Sequence, residues 1–144
     1  MITCRLRLDC GGMVSDVVAE LARSLAEQGG LTPSQAYGLR LALDEITTNI
    51  AQHGYAGAGG IVDLLAGVEP GEVWVRVEDD APPFDPRDHD PAPRLAAHPH
   101  LRPEGGYGLF LALDKLDDFA YDHVGGRNRN TLIMHRPVAD QEAG

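Results

Sequence analysis

The sequence has little positive charge and a single lysine, Lys115. Twelve basic residues stand against 22 acidic ones in 144 residues, which gives a net charge of −10. A protein this acidic repels the phosphates of nucleic acids and of anionic lipids, so direct binding to nucleic acid is not expected. The sequence also lacks a long apolar run, and Arg5, Arg7 and Asp9 interrupt the N-terminal segment where a signal peptide would be apolar. We therefore expect a cytoplasmic protein with no membrane contact.

Cysteine is scarce, with Cys4 and Cys10 as the only two. Apolar and polar residues alternate from Ile2 to Cys10, which predicts a strand with both sulfurs on one face. Six residues of strand separate the sulfurs by roughly 20 Å, too far for a disulfide between them. We expect two buried, unreactive thiols.

Most of the basic residues are arginines, and several fall in segments without a regular pattern. Arg87, Arg94 and Arg102 share one such segment, and Arg127 and Arg129 share another. Loop arginines in an acidic protein are suited to local phosphate contacts. Solvated loop arginines are the alternative interpretation.

The apolar residues recur with helical and strand periods that predict the order β-α-α-β-β-loop-α-β-β. This order fits an α+β fold, with helices on one face of a mixed, mostly antiparallel sheet. Residues 70–71 and 125–126 predict hairpin turns. The predicted strands are about 2–9, 62–68, 73–77, 117–123 and 128–136, and the predicted helices are about 14–29, 33–53 and 105–116.

The length predicts a single domain, which we assign to residues 1–138, followed by a frayed tail at 139–144. Residues 81–104 contain seven of the ten prolines and almost no periodicity. A loop of this length in a small domain is typical of a functional lid or of a disordered segment.

Glu45 and Asn49 are the most informative pair of polar residues. They lie four residues apart in an apolar helical pattern, so their side chains point the same way. A carboxylate beside a carboxamide suits a bound cation and a reacting water or hydroxyl. A solvated polar face is the alternative, but this face has no lysine or arginine after Arg40.

Two further motifs follow along the chain. Residues 78–86 end a strand in carboxylates and prolines, and a carboxylate there could accept a hydrogen bond from an exocyclic amine such as that of adenine. A turn with acidic caps is the alternative. Residues 105–108 place glycines at a helix start, where backbone N–H groups suit a phosphate. They match neither the dinucleotide-binding fingerprint nor a P-loop.

Together the three motifs, in this order, resemble the ATP-binding domain of the gyrase, histidine kinase and MutL (GHKL) superfamily. Ala81 and Pro83 stand where that superfamily usually has glycine, and proline offers no backbone N–H. A narrower resemblance, to the small anti-sigma-factor serine kinases, rests on four further segments. The segments that carry this narrower resemblance are His53-Gly54-Tyr55, Pro83-Phe84-Asp85-Pro86, Gly108-Leu109-Phe110-Leu111 and Gly126-Arg127-Asn128-Arg129-Asn130.

The resemblance implies a two-layer α/β sandwich, the Bergerat ATP-binding fold, that binds ATP and Mg²⁺ beneath a lid. Glu45 would be the catalytic general base, acting on a water or on a serine hydroxyl. Asn49 would hold the Mg²⁺ that bridges the phosphates, and Asp79 would bind the adenine amine. The other implied cofactor-binding residues are Gly106 and Gly108 at the phosphates, Thr131 at the adenine end, and Arg94 and Arg102 in the lid.

The implied function is that of an anti-sigma regulatory protein. Such a protein phosphorylates a serine on an anti-anti-sigma (STAS-domain) partner, sequesters a sigma factor and often forms a homodimer. A nucleotide-binding regulatory module without significant kinase activity is the first alternative. The catalytic half of a sensor histidine kinase and a structural domain without nucleotide are the others.

Overall fold

A computed structural model describes residues 2–10, 14–56, 58–88 and 106–137. These residues include five strands and three α-helices. The strands are β1 (Ile2–Asp9), β2 (Ile61–Glu69), β3 (Glu72–Asp79), β4 (Asp118–Val124) and β5 (Arg127–His135). The helices are α1 (Val14–Gly29), α2 (Pro33–Asn49) and α3 (Gly106–Asp114). The predicted element order is therefore confirmed.

The strands form a single sheet in the order β1-β2-β3-β5-β4. Each neighbouring pair of these strands runs antiparallel. The predicted α+β class is confirmed. The prediction of a mixed sheet is wrong, because short hairpins join β2 to β3 and β4 to β5, and no parallel pairing occurs among the described strands.

The hairpin between β4 and β5 depends on two glycines. Gly125 and Gly126 have φ values of +62° and +78°, and they separate the paired residues Val124 and Arg127. A two-residue loop with positive φ at both positions matches the twist of the flanking strands and favours glycine. The turn predicted at 125–126 is thus present.

The helices pack on one face of the sheet, and alternate strand residues face them. Val18, Leu25, Leu39 and Leu43 from the helices are fully buried with this face of the strands. The strand residues of the core are Val62, Leu64, Ala66, Val73, Val75, Val77, Leu132 and Met134. The described residues therefore form the two layers that the resemblance implied, and none of their helices is both long and apolar enough to cross a membrane.

Helix α2 carries the predicted pair Glu45 and Asn49, and its start is well defined. Thr32 caps it by accepting a hydrogen bond from the Gln35 backbone, and the Gln35 side chain accepts one in return. The α-helix ends at Asn49, and a π-helical turn, Ile50–Gly54, continues it. The predicted helix to residue 53 is therefore two pieces, and the wider turn begins directly after Asn49.

Cys4 and Cys10 are free thiols that lie partly buried against the core. The predicted burial of the two thiols is only partial, because β1 pairs only with β2 among the described strands and lies at the sheet edge. Burial, and then the charges of Asp9 and Asp79, raise the pKa of the Cys10 thiol. A raised pKa favours the unreactive thiol over the thiolate.

Candidate nucleotide site

A pocket of about 210 Å³ lies where β3 ends, beside the C-terminal part of α2. Its walls are mostly apolar, and its polar groups come from four elements, α2, the π-helical turn, β3 and β5. A flat ring with a polar edge fits such a lining. The apolar lining residues are Ile46, Ile50, Ala81, Pro82, Pro83, Phe84 and Pro86, and the polar ones include Asn49, His53, Asp79, Asn128 and Asn130.

Asp79 is the buried carboxylate of the pocket, with only 1% of its surface exposed. One oxygen, Oδ1, accepts hydrogen bonds of 2.9 Å from the backbone of Ala81 and from Asn128. Burial raises the pKa of Asp79, although these two hydrogen bonds and the nearby Arg127 act in the opposite direction. Its second oxygen accepts no hydrogen bond from the described residues, so it is available to a donor in the pocket.

Asn128 holds the pocket wall in place, a role that the sequence analysis missed. Its Nδ2 donates to Asp79, to the carbonyl of Ala81 at 3.0 Å and to that of Pro82 at 3.1 Å. Its Oδ1 accepts from the Phe84 backbone at 3.1 Å and from the Tyr121 hydroxyl. The strand register places Asn128 directly opposite Asp79 across β3 and β5, which the sequence alone does not show.

Tyr55 supports the other end of the same wall. Its hydroxyl donates to the carbonyl of Ile61 at 2.7 Å and accepts from the Asp80 backbone at 2.9 Å. A Cβ at Gly60 would lie 2.5 Å from the Tyr55 ring, so only glycine leaves room for it. The backbone beside Asp79 is thus tied to the segment that follows the π-helical turn.

The glycine missing at position 81 is compensated at position 54. A Cβ added at Gly54 would lie 2.9 Å from the Cβ of Ala81. The absence of a side chain at Gly54 therefore leaves room for the methyl group of Ala81. The segment that contains Ala81 packs closely against the π-helical turn.

Asn49 lines the same pocket as Asp79 and is 9% exposed. Its carboxamide forms no hydrogen bond with the part of the chain that the structure describes. Asn49 lies at the end of α2, where its oxygen can face a ligand. An amide oxygen of this kind is a suitable ligand for a hard divalent cation.

Glu45 lies in α2, one turn before Asn49 and outside the pocket. Its side chain contacts the start of α3. A Cβ added at Gly108 would collide with Oε1 of Glu45, so the carboxylate lies directly against this glycine. Burial, and then the charge of Asp44, raise the pKa of Glu45. The order from the pocket to α3 is therefore Asp79, Asn49, Glu45 and Gly108. The structure brings these four together, and their roles stay predictions.

Thr131 is not at the pocket, contrary to the prediction. Residues 128, 130, 132 and 134 of β5 are buried on the helix-facing side, and Thr131 points to the opposite face. Side chains alternate along a strand, so a displacement of one residue changes the face. Asn130, and not Thr131, lines the pocket.

The remaining predicted residues fall at the edge of the described structure or beyond it. Gly106 is the first residue of α3. Arg94 and Arg102 lie outside the described residues, as do most of the predicted lid at 81–104 and the tail at 139–144.

Arg127 and Arg129 are strand residues, so the prediction that they are loop arginines for phosphate is wrong. They lie in β5 on the face opposite the helices. Arg127 forms ion pairs with three carboxylates, those of Asp63 at 2.9 Å, Glu78 at 3.1 Å and Asp80 at 2.8 Å. These three carboxylates therefore neutralise the positive charge of Arg127.

The family model for the histidine kinase-like ATPase domain matches residues 12–136 of the chain. The chain belongs to the histidine kinase-like ATPase family. No curated protein shows significant similarity to it. The histidine kinase-like ATPase domain is an ATP-binding module, so ATP binding is the property that the family implies for this chain.

Proposed function

We propose that this protein is a cytoplasmic anti-sigma regulatory protein that transfers the γ-phosphate of ATP to a serine of a STAS-domain partner. In the same proposal it sequesters a sigma factor when that partner is phosphorylated, and it acts as a homodimer. The observation that carries the proposal is the succession of Asp79, Asn49, Glu45 and Gly108 from the apolar pocket to the start of α3. In this order, the adenine ring would lie beside Asp79, the metal-bridged triphosphate beside Asn49, and the reacting hydroxyl beside Glu45.

The base of ATP would bind in the pocket beside Asp79. The second carboxylate oxygen of Asp79 would accept a hydrogen bond from the exocyclic amine of adenine. The first oxygen is already held by Ala81 and Asn128, each at 2.9 Å, so the carboxylate does not need to reorient. The apolar walls from Ile46 and Pro83 would cover the two faces of the ring.

The triphosphate would extend from the pocket toward α3. Asn49 would hold Mg²⁺ through its amide oxygen, with phosphate oxygens and water as the other ligands. When bound, Mg²⁺ neutralises the phosphate charge and orients the γ-phosphate. Backbone N–H groups at Gly106 and Gly108 would donate to phosphate oxygens, and Arg94 and Arg102 stay the predicted lid contacts.

Glu45 would act as the general base for the transfer. It would accept the proton of the serine hydroxyl while the serine oxygen forms a bond to the γ-phosphorus. The bond from that phosphorus to the oxygen bridging the β-phosphate breaks, and ADP leaves with the electron pair. Burial raises the pKa of Glu45, which makes it a stronger base than an exposed glutamate.

A nucleotide-binding regulatory module without significant kinase activity is the alternative. The observation that favours it is a rigid pocket wall, in which Ala81 and Pro83 replace glycines and Asn128 bonds to Ala81 and Phe84. In that case the bound nucleotide would control sequestration of the sigma factor, with negligible phosphate transfer.

Incubation with Mg-ATP and a STAS-domain protein, followed by mass spectrometry for phosphoserine, tests the proposal. We expect phosphoserine with the wild type and a loss of about 100-fold in transfer rate with Glu45→Gln. ATP affinity should stay within a few-fold in that variant, because Glu45 lies outside the base pocket. Intact ATP binding without phosphoserine in the wild type would favour the alternative.

A further inference from the structure

Asn130 has a buried carboxamide without a partner. Only 2% of the residue is exposed, and its Oδ1 has no hydrogen-bond partner among the described residues. Buried polar groups in native proteins are nearly always paired, so an unpaired one requires an explanation. Asn130 lines the pocket beside Asp79, which indicates that its partner is a ligand.

The register places Asn130 at a suitable distance from Asp79. Asn128 is directly opposite Asp79 across β3 and β5, and Asn130 is two residues further along on the same face. Such diagonal neighbours have Cα atoms about 7–8 Å apart. A ring that enters the pocket can therefore present one edge to both side chains.

The two side chains offer complementary chemistry. Ionised Asp79 only accepts hydrogen bonds, whereas the carboxamide of Asn130 both donates and accepts. Adenine has an amine with two protons beside ring nitrogens that accept, a pattern that a carboxamide can match. Guanine has a carbonyl oxygen where adenine has the amine, and the oxygen of Asp79 would repel it.

We infer that Asn130 is a second base-recognising residue, which binds the amine and an adjacent ring nitrogen of adenine while Asp79 binds the other amine proton. This inference rests on the proposed binding of ATP in this pocket. Asn130 alone would not distinguish the two purines, because rotation of its amide exchanges the donor and the acceptor. Asp79, held by Ala81 and Asn128, makes adenine the preferred base.

The unpaired carboxamide also has a consequence for the empty protein. An unsatisfied buried polar group destabilises the fold, and an apolar side chain of similar shape removes that cost. Asn130→Leu should therefore leave the melting temperature of the nucleotide-free protein unchanged or raise it. The same variant should bind ATP about tenfold more weakly, because the base loses one of its two partners.

Calorimetric titration of the wild type, Asn130→Leu and Thr131→Val with ATP and GTP tests the inference. Thr131→Val is the matched control, since it changes the neighbouring residue on the opposite face and should leave ATP affinity unchanged. The preference for ATP over GTP should persist in Asn130→Leu, because the fixed acceptor oxygen of Asp79 sets it. An unchanged ATP affinity together with a lowered melting temperature would overturn the inference and leave Asn130 a structural residue.

A second measurement uses only the wild type and does not depend on the variant folding. The analogues 1-deaza-ATP and 7-deaza-ATP each lack one ring nitrogen beside the amine but keep the amine that Asp79 would bind. One of the two should bind about tenfold more weakly than ATP. If the wild type binds both analogues as tightly as ATP, the role of Asn130 fails while ATP binding stands. If the wild type binds no ATP, the proposed function fails as well.

Discussion

At the scale of single residues, three carboxyl groups differ in what surrounds them. Burial raises the pKa of Asp79 and of Glu45, so their contribution to stability is present at low pH and lost as the pH rises through the raised pKa. Asp63 is the opposite case, because a hydrogen bond from Arg7 lowers its pKa. Its contribution is present at neutral pH and lost as the pH falls through the lowered pKa.

The raised pKa of Asp79 predicts a pH dependence of ATP binding. The ionised carboxylate of Asp79 can accept a hydrogen bond from the adenine amine, whereas protonation would turn the free oxygen into a donor. The affinity for ATP should therefore fall as the pH falls through that pKa. This fall should begin above the ordinary aspartate value of 3.8. Titration calorimetry from neutral to mildly acidic pH measures it.

Asp79→Asn is the control for that pH dependence. The variant should bind ATP more weakly at neutral pH and should lack the part of the pH dependence that comes from Asp79. An identical dependence of affinity on pH in the wild type and in the variant would contradict the assignment.

At the scale of elements, α2 and α3 meet at Gly108 and Glu45. Gly108→Ala should push the Glu45 carboxylate aside, and the end of a flexible side chain can move at little cost. The gain in helix propensity, up to about 1 kcal/mol, offsets that cost. We expect a nearly unchanged free energy of unfolding and a loss of about 100-fold in phosphate transfer, measured by urea denaturation and by phosphoserine formation.

Gly29→Ala is the matched control for Gly108→Ala. A Cβ at Gly29 would collide with Cγ2 of Val73, a fully buried core residue. We expect a loss of about 1–3 kcal/mol in the free energy of unfolding, without an effect on ATP affinity once folded. The interpretation would be wrong if Gly108→Ala destabilised the protein as much as Gly29→Ala does.

The ion pairs of Arg127 join β2, β3 and the turn after β3 to β5. The side chains of Arg127, Asp63 and Glu78 are 27%, 11% and 16% exposed, so solvent screens them only in part. Arg127→Met should lower the free energy of unfolding by about 1–3 kcal/mol, because the partly buried Asp63 then keeps only Arg7 as an ion-pair partner. Chemical denaturation at low and at high salt measures this loss.

Arg23→Met provides the comparison for Arg127→Met. The Arg23 side chain is 57% exposed and pairs with Glu20 and Glu27 on the surface of α1. Its removal should leave the free energy of unfolding nearly unchanged, because water screens ion pairs on the surface. Equal losses for the two variants would show that burial of the Arg127 cluster has no energetic effect.

At the scale of the whole molecule, the pocket forms where the end of β3, the end of α2 and β5 converge. A ligand bound there stabilises the folded state by mass action. ATP with Mg²⁺ at 100 times its dissociation constant should add about 2.7 kcal/mol, or roughly 9 °C in melting temperature for a domain of this size. Asn49→Ala should abolish most of the rise that depends on Mg²⁺.

Differential scanning fluorimetry with ATP alone, with Mg²⁺ alone and with both measures this effect. The contribution of Mg²⁺ is the difference between the rise with ATP alone and the rise with both. A melting curve of the wild type that ATP leaves unchanged would count against nucleotide binding. An undiminished Mg²⁺-dependent rise in Asn49→Ala would instead count against Asn49 as the metal ligand.

Much of the fold could be predicted because apolar residues recur with one period in helices and another in strands. The turns at 125–126 and the start of α2 at Pro33 followed from local conformational preferences. The site was harder to predict in β5, where arginines and asparagines alternate and both faces of the strand are polar. The alternation therefore could not show which face was buried, and the resemblance alone assigned Thr131, which points away from the pocket.

The sequence by itself determined the family motifs, the order of elements and the pairing of Glu45 with Asn49, because these depend on residues close together in the chain. Only the tertiary structure decided that Asn128 binds Asp79 and that Glu45 lies against Gly108. The paired residues are far apart in sequence, and strand register and helix packing bring them together. The unpaired carboxamide of Asn130 is a property of the folded pocket alone, since it requires every neighbouring donor and acceptor to be in place.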